Sequence, residues 1–458
     1  MQQTTTRENK MGYLPIPRLL LEMSLPIILS MLVQALYNIV DSVFVARISE
    51  DALTAVSLVF PIQNLMIAVA AGTGVGVNAI LSRNLGAKQY ERANLAAQNG
   101  IFIFLCSAVV FAVLGTSLSS FFMNVQTSDT TICHYGIQYM MIITGCSIFV
   151  FMQVLMERLL QSTGRSFYSM LSQGLGAIIN IILDPIFIFG LFGFPRLEVI
   201  GAAFATVIGQ TCAMLLGLYL NIRKNPEINI NMRHFRPNVM IIKKIYAVGV
   251  PSIIVQAIGS VMTFGMNKIL LMFTPTATAV FGVYFRLQSF IFMPVFGLNN
   301  GMVPIVAFNY GAQNAKRMMS TIKLSIAAAV SIMLVGLAIF QFCPAQLLHI
   351  FNASPEMLEI GVPALRIISL SFLFAGFCIV VGSVFQALGN GIYSLITSVC
   401  RQLLAILPIA FAFAKIWGLS AVWWSIPLAE IVSVLLSAIL FRRIYRKKIK
   451  PLTRQFPN

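Results

Sequence analysis

The chain has 458 residues, of which 58% are hydrophobic and only 10% are charged, and its mean hydropathy is +0.86. Soluble domains carry about 25% charged residues, so this composition excludes a soluble globular enzyme, a disordered protein and a nucleic-acid-binding domain. The formal net charge of +17 would suit a nucleic-acid partner, but the distribution of that charge along the chain points elsewhere.

The apolar residues are grouped in twelve stretches that are each long enough to cross a membrane, which takes about 20 residues. We therefore predict an all-α integral membrane protein. The expected spans, in chain order, are 18–45, 53–81, 94–118, 136–160, 168–190, 200–222, 245–273, 279–308, 318–342, 361–386, 392–415 and 421–444.

The basic residues indicate the orientation. With the N-terminus inside, most of the 31 Lys and Arg fall in inner segments, and the outer loops hold only Arg47, Arg196 and Lys415. Cytoplasmic loops carry this excess. We expect a multi-pass protein of the plasma (inner) cell membrane with both termini in the cytoplasm. The basic tail from Arg442 also suits contact with anionic lipid, although a topology signal is its simpler interpretation.

The sequence repeats itself at an offset of 225 residues. Pro26 falls on Pro251, and Asn84-x-Gly-Ala falls on Asn309-x-Gly-Ala. The chain is therefore expected to form two pseudo-symmetric lobes of six helices each. The predicted divisions are an N-lobe over 1–222, a cytoplasmic linker over 223–244 and a C-lobe over 245–458 that includes the basic tail.

Six spans per half make this a parallel repeat, for which substrate sites lie between the halves and alternating access comes from rocking one half against the other. Gly72-x-x-x-Gly76 and its copy Gly297-x-x-x-Gly301 permit close contact between helices. The glycines of the first motif lie inside an apolar span that no strand precedes, so a phosphate loop is disfavoured.

The motifs of nucleotide and catalytic sites are missing. The sequence has no Gly-Lys dipeptide and hence no Walker A loop, and it has no Gly-x-Ser-x-Gly or His-Glu-x-x-His motif. We expect a secondary transporter and not an enzyme, with no nucleotide, no nucleic-acid partner and no organic cofactor. Uphill transport then requires an ion gradient, which needs an ionisable group inside the membrane.

Four acids are candidates for that group: Asp41, Glu157, Asp184 and Glu430. Asp41 continues a polar face of span 1 that also carries Gln34, Tyr37 and Asn38, since spacings of three and four place residues on one side of a helix. Asp184 lies in span 5, one turn after Asn180 and directly before a proline.

Both aspartates are expected in the outer halves of their spans, at similar depth. Two carboxylates that share a dry site do not easily both ionise, so the pair can hold H⁺, or it can bind Na⁺ with help from Asn180 and the hydroxyl of Thr206. The alternative is that each aspartate only hydrogen-bonds a neighbouring helix. In the second half Met266 and Ile409 replace the two acids, which confines the pair to the N-lobe.

The remaining acids are secondary candidates. Glu157 adjoins Arg158 near the inner end of span 4, where a structural ion pair or snorkelling is the better interpretation. Glu430 in span 12 has no obvious partner in the sequence, and a structural role and a coupling role are left equally open.

Pro26 is a candidate hinge. A proline within a span frees a backbone carbonyl one turn earlier and allows a kink. A kink in span 1 would couple protonation of Asp41 to bending of that helix.

The residues at this point resemble a family. The stretch from Pro26 to Asp41, the Asn84-Leu-Gly-Ala turn, the Leu160-Gln-Ser-Thr-Gly turn and Asn180-x-x-x-Asp184-Pro are similar to those of MATE (multidrug and toxic compound extrusion) transporters, in particular the bacterial MepA-like branch. The likeness covers nearly the whole chain.

The resemblance implies a V-shaped pair of six-helix lobes and a cation-coupled (H⁺ or Na⁺) antiporter, which we expect to be a monomer and which expels varied lipophilic, often cationic, small molecules. It also implies that Asp41, Asn180, Asp184 and Thr206 form the cation site. Some branches use a Glu in span 7, where this chain has Gln256. Phe and Met offer adaptable surfaces for such substrates, and Tyr37, on the face of Asp41, is the best single candidate for contact with them.

Three other functions are alternatives to an ion-coupled exporter. A lipid-linked oligosaccharide flippase of the same superfamily would line its cavity with cations, for which the sequence offers Lys268, Arg286, Arg366 and Arg401. An intramembrane aspartyl protease is disfavoured because Asp184 follows Ile-Leu and not the Gly-x-Gly of that class. A passive channel is the third alternative, and it would need no ion gradient to drive transport.

Overall fold

The computed structural model describes residues 8–233 and 235–455, and every regular element in these ranges is helical. Among the described residues, ten helices are long and apolar enough to span a membrane, and two bent pairs of shorter helices bring the number to twelve. The predicted all-α membrane fold with twelve spans is confirmed.

In the first half the spans are α1 (Ile16–Ala46), α2 (Glu50–Gly86), α3 (Tyr90–Gln126), α4 (Thr130–Gly145 with Ser147–Ser162), α5 (Ser166–Phe189) and α6 (Glu198–Lys224). In the second half they are α7 (Val239–Leu270), α8 (Pro275–Gly311), α9 (Ala315–Phe342), α10 (Pro355–Ser369 with Phe372–Ala387), α11 (Gly391–Ile416) and α12 (Leu419–Leu452). Short helices cover Lys10–Tyr13, Leu191–Gly193 and Pro344–His349, and the helical segment Lys450–Gln455 continues α12 without a break.

Side chains in the loops fix where several spans begin. Asp129 accepts hydrogen bonds from the backbone N–H groups of Thr131 (2.8 Å) and Ile132 (3.0 Å) at the start of α4. Ser49 caps α2 in the same way. These contacts satisfy donors that have no partner within the first helical turn.

The repeat seen in the sequence is also a repeat of geometry. The turn after α2 places Lys88 at a φ of 57°, and the turn after α8 places Gln313, which is 225 positions later, at the same value. The bends in the two broken spans, 47° in α4 and 50° in α10, also lie at equivalent positions.

The small residues of the repeated glycine motifs allow close packing of backbones. A Cβ at Gly76 would lie 2.3 Å from the carbonyl oxygen of Ile245 in α7, and a Cβ at Gly301 would lie 2.4 Å from Ser24 Oγ in α1. No Cβ tolerates such distances, so the predicted role in helix contact is confirmed for Gly76 and Gly301.

The chain divides into two compact units. The N unit comprises Leu25–Gly249 together with Asn9, and the C unit comprises Lys10–Ser24 and Val250 onwards. The predicted boundary over 223–244 therefore differs from the observed division, because the first part of α7 packs with the N unit and the first part of α1 packs with the C unit. Both crossing points lie just before a proline, Pro26 and Pro251.

The segment between α6 and α7 is fastened to the N unit. Asn94 Oδ1 accepts from the backbone N–H of Asn229 (2.8 Å), and Gln98 Nε2 donates to the carbonyl of Asn231 (2.7 Å). Asn99 Oδ1 accepts from the N–H of Asn238 (2.9 Å). The predicted linker is thus an ordered part of one unit over its described residues.

Glu227 closes this attachment. Its carboxylate accepts a 2.5 Å hydrogen bond from Asn9 and lies 3.9 Å from the guanidinium of Arg165, while Asn9 also donates to the carbonyl of Thr163. Burial raises the pKa of Glu227 above its usual range, although Asn9 and Arg165 oppose that shift.

Candidate ion-coupling site

The polar face of α1 enters the interior of the N unit. Gln34 accepts a hydrogen bond from Gln173 of α5 (2.8 Å), and Tyr37 lies within electrostatic range of Asp41. Asp41 is half-buried, and its Oδ1 atom is buried without a hydrogen-bond partner. Asn38 is exposed, so of the four predicted polar residues it is the one that does not point into the interior.

The second acid lies deeper. Asp184 is fully buried, and Asn180 and Thr206 beside it are 3% and 9% exposed. Oriented with its oxygen toward α6, the Asn180 amide accepts from the hydroxyl (3.2 Å) and the backbone N–H (3.0 Å) of Thr206 and donates to Asp184 Oδ2 (3.2 Å). The structure therefore brings together the three residues that the sequence placed on spans 5 and 6.

Asp41 and Asp184 are close enough to interact electrostatically, which joins the two groups into one site. Asp184 Oδ1 is buried and unpartnered, like Asp41 Oδ1. A buried carboxylate oxygen without a donor is costly, and a proton or a cation bound between the acids would remove that cost.

Two helices that the sequence did not implicate also reach this site. Tyr139 of α4 is 2% exposed, interacts electrostatically with both acids, and accepts a hydrogen bond from Gln63 of α2 (3.3 Å). These residues were missed because the sequence alone does not show which polar side chains of α2 and α4 face the two acids. The signal that could have found them is that an amide or hydroxyl buried in a membrane span is costly. Each such group is therefore expected to have a hydrogen-bond partner.

The chemistry of the donors suits a small hard cation or a proton. Carboxylate, amide and hydroxyl oxygens are the ligands that hard cations prefer. Within residues 8–233 and 235–455, however, no group of three or more Asp, Glu, His or Cys side chains could hold a metal ion. With the Asn180 oxygen toward α6, protonation of Asp184 Oδ1 leaves the Asn180 hydrogen bonds in place, whereas a cation that also binds that oxygen requires the amide to turn.

Glu157 belongs to the same interior. It is 8% exposed, accepts a hydrogen bond from Gln153 (3.0 Å), and lies within electrostatic range of Tyr37. Arg158 donates to Gln161 (3.1 Å). Of the two interpretations of Glu157, snorkelling is wrong, because a snorkelling carboxylate would be exposed, whereas Arg158 does lie within electrostatic range of it.

The C unit holds a different arrangement. Glu430 of α12 is 3% exposed and accepts a 3.1 Å charge-assisted hydrogen bond from Arg401 of α11. The partner of Glu430 was not visible in the sequence because the two residues lie on separate helices. Arg401 is the second residue of a π-helical stretch, Cys400–Ile406. Gln256 is exposed on α7.

The cations that a flippase would use are partly committed elsewhere. Arg401 is paired with Glu430, and Arg366 donates to the carbonyl of Gln341 (3.3 Å). Lys268 lies 5.7 Å from the ring centre of Phe264, which is itself 65% exposed. Arg286 of α8 is exposed, so the described contacts commit two of the four cations, Arg366 and Arg401.

Comparison with known proteins decides the family. The profile of the MatE family matches the chain twice, over residues 26–186 and 251–411. The chain belongs to the MatE family. The two matches are offset by 225 residues, so they also confirm the internal repeat.

MatE relatives span almost the entire chain. The multidrug export protein MepA of Staphylococcus haemolyticus is 27% identical over 422 residues, which cover 92% of each chain. A structure described as the outward-facing conformation of a multidrug resistance MATE family transporter has a TM-score of 0.90 and 25% identity and covers 99% of this chain and 100% of its own. A MATE structure in a bent conformation has a TM-score of 0.88 and 26% identity and covers 96% of this chain and 97% of its own.

MatE membership fixes the general class. The protein is a multi-pass membrane transporter of the MATE type and not an enzyme. The resemblance read from the sequence is therefore confirmed at the level of the family and of the fold.

Proposed function

We propose that this MatE-family protein exports lipophilic, often cationic, drugs and toxic compounds across the plasma membrane in exchange for H⁺, by alternating access. Support for the substrate class comes from the multidrug export proteins that it resembles. We further propose that it acts as a monomer with both termini in the cytoplasm.

The observation that carries the coupling proposal is the acid pair in the N unit. Asp41 and Asp184 each keep one buried oxygen without a donor. A proton on Asp184 Oδ1 satisfies that oxygen without disturbing Asn180, which favours H⁺ over Na⁺. Na⁺ held by Asp41, Asn180, Asp184 and Thr206 is the second candidate.

Exchange follows if protons and drug cations compete for the same charge. An organic cation is attracted to the site only when the acids are ionised, and aromatic faces such as that of Tyr37 add a favourable contact. Proton entry neutralises the acids and releases the cation. Glu157, within range of Tyr37, is proposed to extend the same electrostatic network.

Bending of α1 is proposed to link the acids to the conformational change. Pro26 lies two residues beyond Ser24, where α1 passes from one compact unit to the other. A bent conformation is known for a MATE structure of the same fold.

The test is drug uptake into proteoliposomes of the purified protein under an imposed H⁺ or Na⁺ gradient. We expect the H⁺ gradient to drive accumulation of a fluorescent lipophilic cation and the Na⁺ gradient alone to fail. Accumulation driven by Na⁺ at constant pH would overturn the choice of ion, and equilibration without accumulation would indicate a passive channel.

Thr206 provides a finer test of the ion. Thr206→Val removes the hydroxyl but keeps the shape of the side chain, and Thr206→Ser is its matched control. Because a proton needs no hydroxyl ligand, we expect H⁺-driven transport by Thr206→Val to fall by no more than about threefold. A complete loss that Thr206→Ser restores would favour the Na⁺ site.

A lipid-linked oligosaccharide flippase is the alternative function. It would hold a diphosphate with free cations, and Arg401, the most buried of the candidates, is paired with Glu430. Scrambling of a labelled lipid diphosphate in the same proteoliposomes, with no drug transport, would favour the flippase.

A further inference from the structure

The exposed face of α12 is apolar as far as Ile439 and basic beyond it. Apolar side chains with three- and four-residue spacing lie along it and are exposed, from Leu428 (37%) and Val432 (43%) to Leu435 (61%) and Ile439 (65%). On a helix that spans a membrane, an exposed stripe of this kind faces the acyl chains of the lipid.

One turn later the same face is basic. Arg442, Arg443, Arg446 and Lys447 are all exposed, and together with Ile439 they line a shallow recess of about 400 Å³. The apolar stripe thus runs directly into a group of four positive charges, in the order in which a phospholipid presents its acyl chains and its phosphate.

These four charges are available for a ligand. Within residues 8–233 and 235–455, none of the four side chains forms an ion pair or a hydrogen bond with the protein. The neighbouring Lys448 differs, because it turns inward and donates to the carbonyl of Leu388 (2.7 Å) and to Asn390 Oδ1 (3.1 Å).

The inward contacts hold the recess in place. The π-helical stretch Tyr445–Ile449 keeps Ile444 and Ile449, five residues apart, on the buried side, with 2% and 0% exposure. Together with the Lys448 hydrogen bonds, they fix the backbone that carries the four cations. The ordering cost of binding is therefore reduced.

We propose that this recess binds the headgroup of an anionic phospholipid, with its acyl chains along Leu435 and Ile439. Guanidinium groups bind phosphate oxygens in a bidentate manner, and basic pockets at the cytoplasmic side of membrane proteins hold anionic headgroups. A zwitterionic phospholipid gains less binding energy, because its headgroup also carries a positive charge that the four basic side chains repel.

The experiment is native mass spectrometry of the protein purified in detergent and incubated with equal amounts of phosphatidylglycerol and phosphatidylcholine. For the unmodified protein we expect retained phosphatidylglycerol to exceed phosphatidylcholine by about tenfold, the ratio that a difference of 1.4 kcal/mol gives. The variant Arg442→Gln, Arg443→Gln, Arg446→Gln, Lys447→Gln should lower that ratio to about one.

A matched control removes four exposed charges elsewhere. Lys88→Gln, Lys243→Gln, Lys244→Gln, Lys316→Gln carries the same net charge as the first variant, and we expect it to keep the preference. An equal loss in both variants would mean that only the total charge matters, and the proposal would fail. It would also fail if millimolar inorganic phosphate displaced the lipid, since the recess would then be a site for a free anion.

A second variant leaves every charge in place. Ile439→Trp fills the recess, and we expect it to lower lipid retention severalfold even if the fourfold variant does not insert into the membrane. Unchanged retention by Ile439→Trp would show that the recess is not where lipid binds.

Discussion

Each compact unit buries an acid between the fifth and sixth helices of its half, but only the C unit pairs that acid with a base. Between α5 and α6 of the N unit, Asp184 keeps a buried oxygen without a donor. Between α11 and α12 of the C unit, Glu430 also keeps one buried oxygen, Oε1, without a hydrogen-bond partner, but Arg401 compensates its charge at 3.1 Å from Oε2. The charge that is left uncompensated is the one able to respond to an ion, whereas the compensated one holds helices together.

The local packing explains how each arrangement is accommodated. Gly176 of α5 approaches α6 so closely that a Cβ there would lie 2.9 Å from the carbonyl of Gly209. The repeat places Arg401 at the position equivalent to Gly176. The longer side chain needs room, and the wider π-helical turn of α11 begins just before it, at Cys400.

The largest effect is expected from the uncompensated acid. Asp184→Asn removes the titratable group but keeps the size of the side chain, so we expect H⁺-driven drug transport to fall at least about tenfold. Transport in proteoliposomes measures this, with thermal unfolding as a control of folding. Undiminished transport by the variant would refute the site assignment.

The next largest effect is expected on stability in the C unit. Arg401→Leu leaves Glu430 buried without its partner, and breaking such a pair costs about 3–5 kcal/mol, of which we expect the lower end because Arg401 is 26% exposed. The double variant Arg401→Leu, Glu430→Leu is the matched control and should regain most of the loss.

The readout is thermal unfolding in detergent, together with transport per folded molecule. If Glu430→Gln unfolds normally but abolishes H⁺-driven transport, then the contrast between the two units is wrong and the C unit also couples ions.

A smaller effect is expected from the hinge. Pro26→Ala restores a helical hydrogen bond, so we expect drug transport to slow by about three- to tenfold with the same ion dependence. Pro61→Ala in α2, also an in-helix proline, is the control and should transport normally. Intact transport by Pro26→Ala, with Asp41→Asn inactive, would remove the support for helix bending.

The smallest effect concerns the attachment of the linker. The raised pKa of Glu227 means that the folded protein holds a proton which the unfolded chain releases near the usual value of 4.5. The free energy of unfolding therefore falls as pH rises from that value through the raised pKa. Glu227→Gln removes this contribution.

We expect Glu227→Gln to gain stability relative to the unmodified protein as pH rises from about 4 to 7, with a relative change in Tm of no more than about 2 °C. Thermal unfolding across that pH range measures it. A Tm difference that does not vary with pH would show that Glu227 titrates alike in both states.

The sequence predicted the membrane fold well because the pattern of apolar and basic residues reflects whether a segment lies in lipid or in water. That pattern does not depend on which helices pack against each other. All twelve spans were found, and the largest differences are at two C-terminal ends, where α3 extends to Gln126 and α12 to Leu452. The bends in α4 and α10 were missed because neither has a proline at its break. The passage of α1 and α7 between units was also missed, since apolarity does not identify the partner.

For the site, spacing along α5 placed Asn180 beside Asp184, and similar depth in the membrane placed Asp41 near them; the structure shows both relations. What spacing cannot do is pair residues across helices. Tyr139, Gln63 and the Arg401–Glu430 pair became visible only when separate helices were brought together in space. Asn38 was predicted to share the polar face of Asp41 but is exposed. The face predicted from residue spacing is broader than the part of α1 that packs against its neighbours.

The exchange of Lys10–Ser24 with the equivalent first part of α7 has a consequence for the origin of the chain. A single ancestral half of this kind would have its first segment docked on a second copy, which describes an intertwined homodimer. Gene duplication and fusion would then convert that association into an intramolecular one with a high effective concentration. A half expressed alone from the present chain would lack the segment that completes it, so the two halves are expected to fold only when they are produced together.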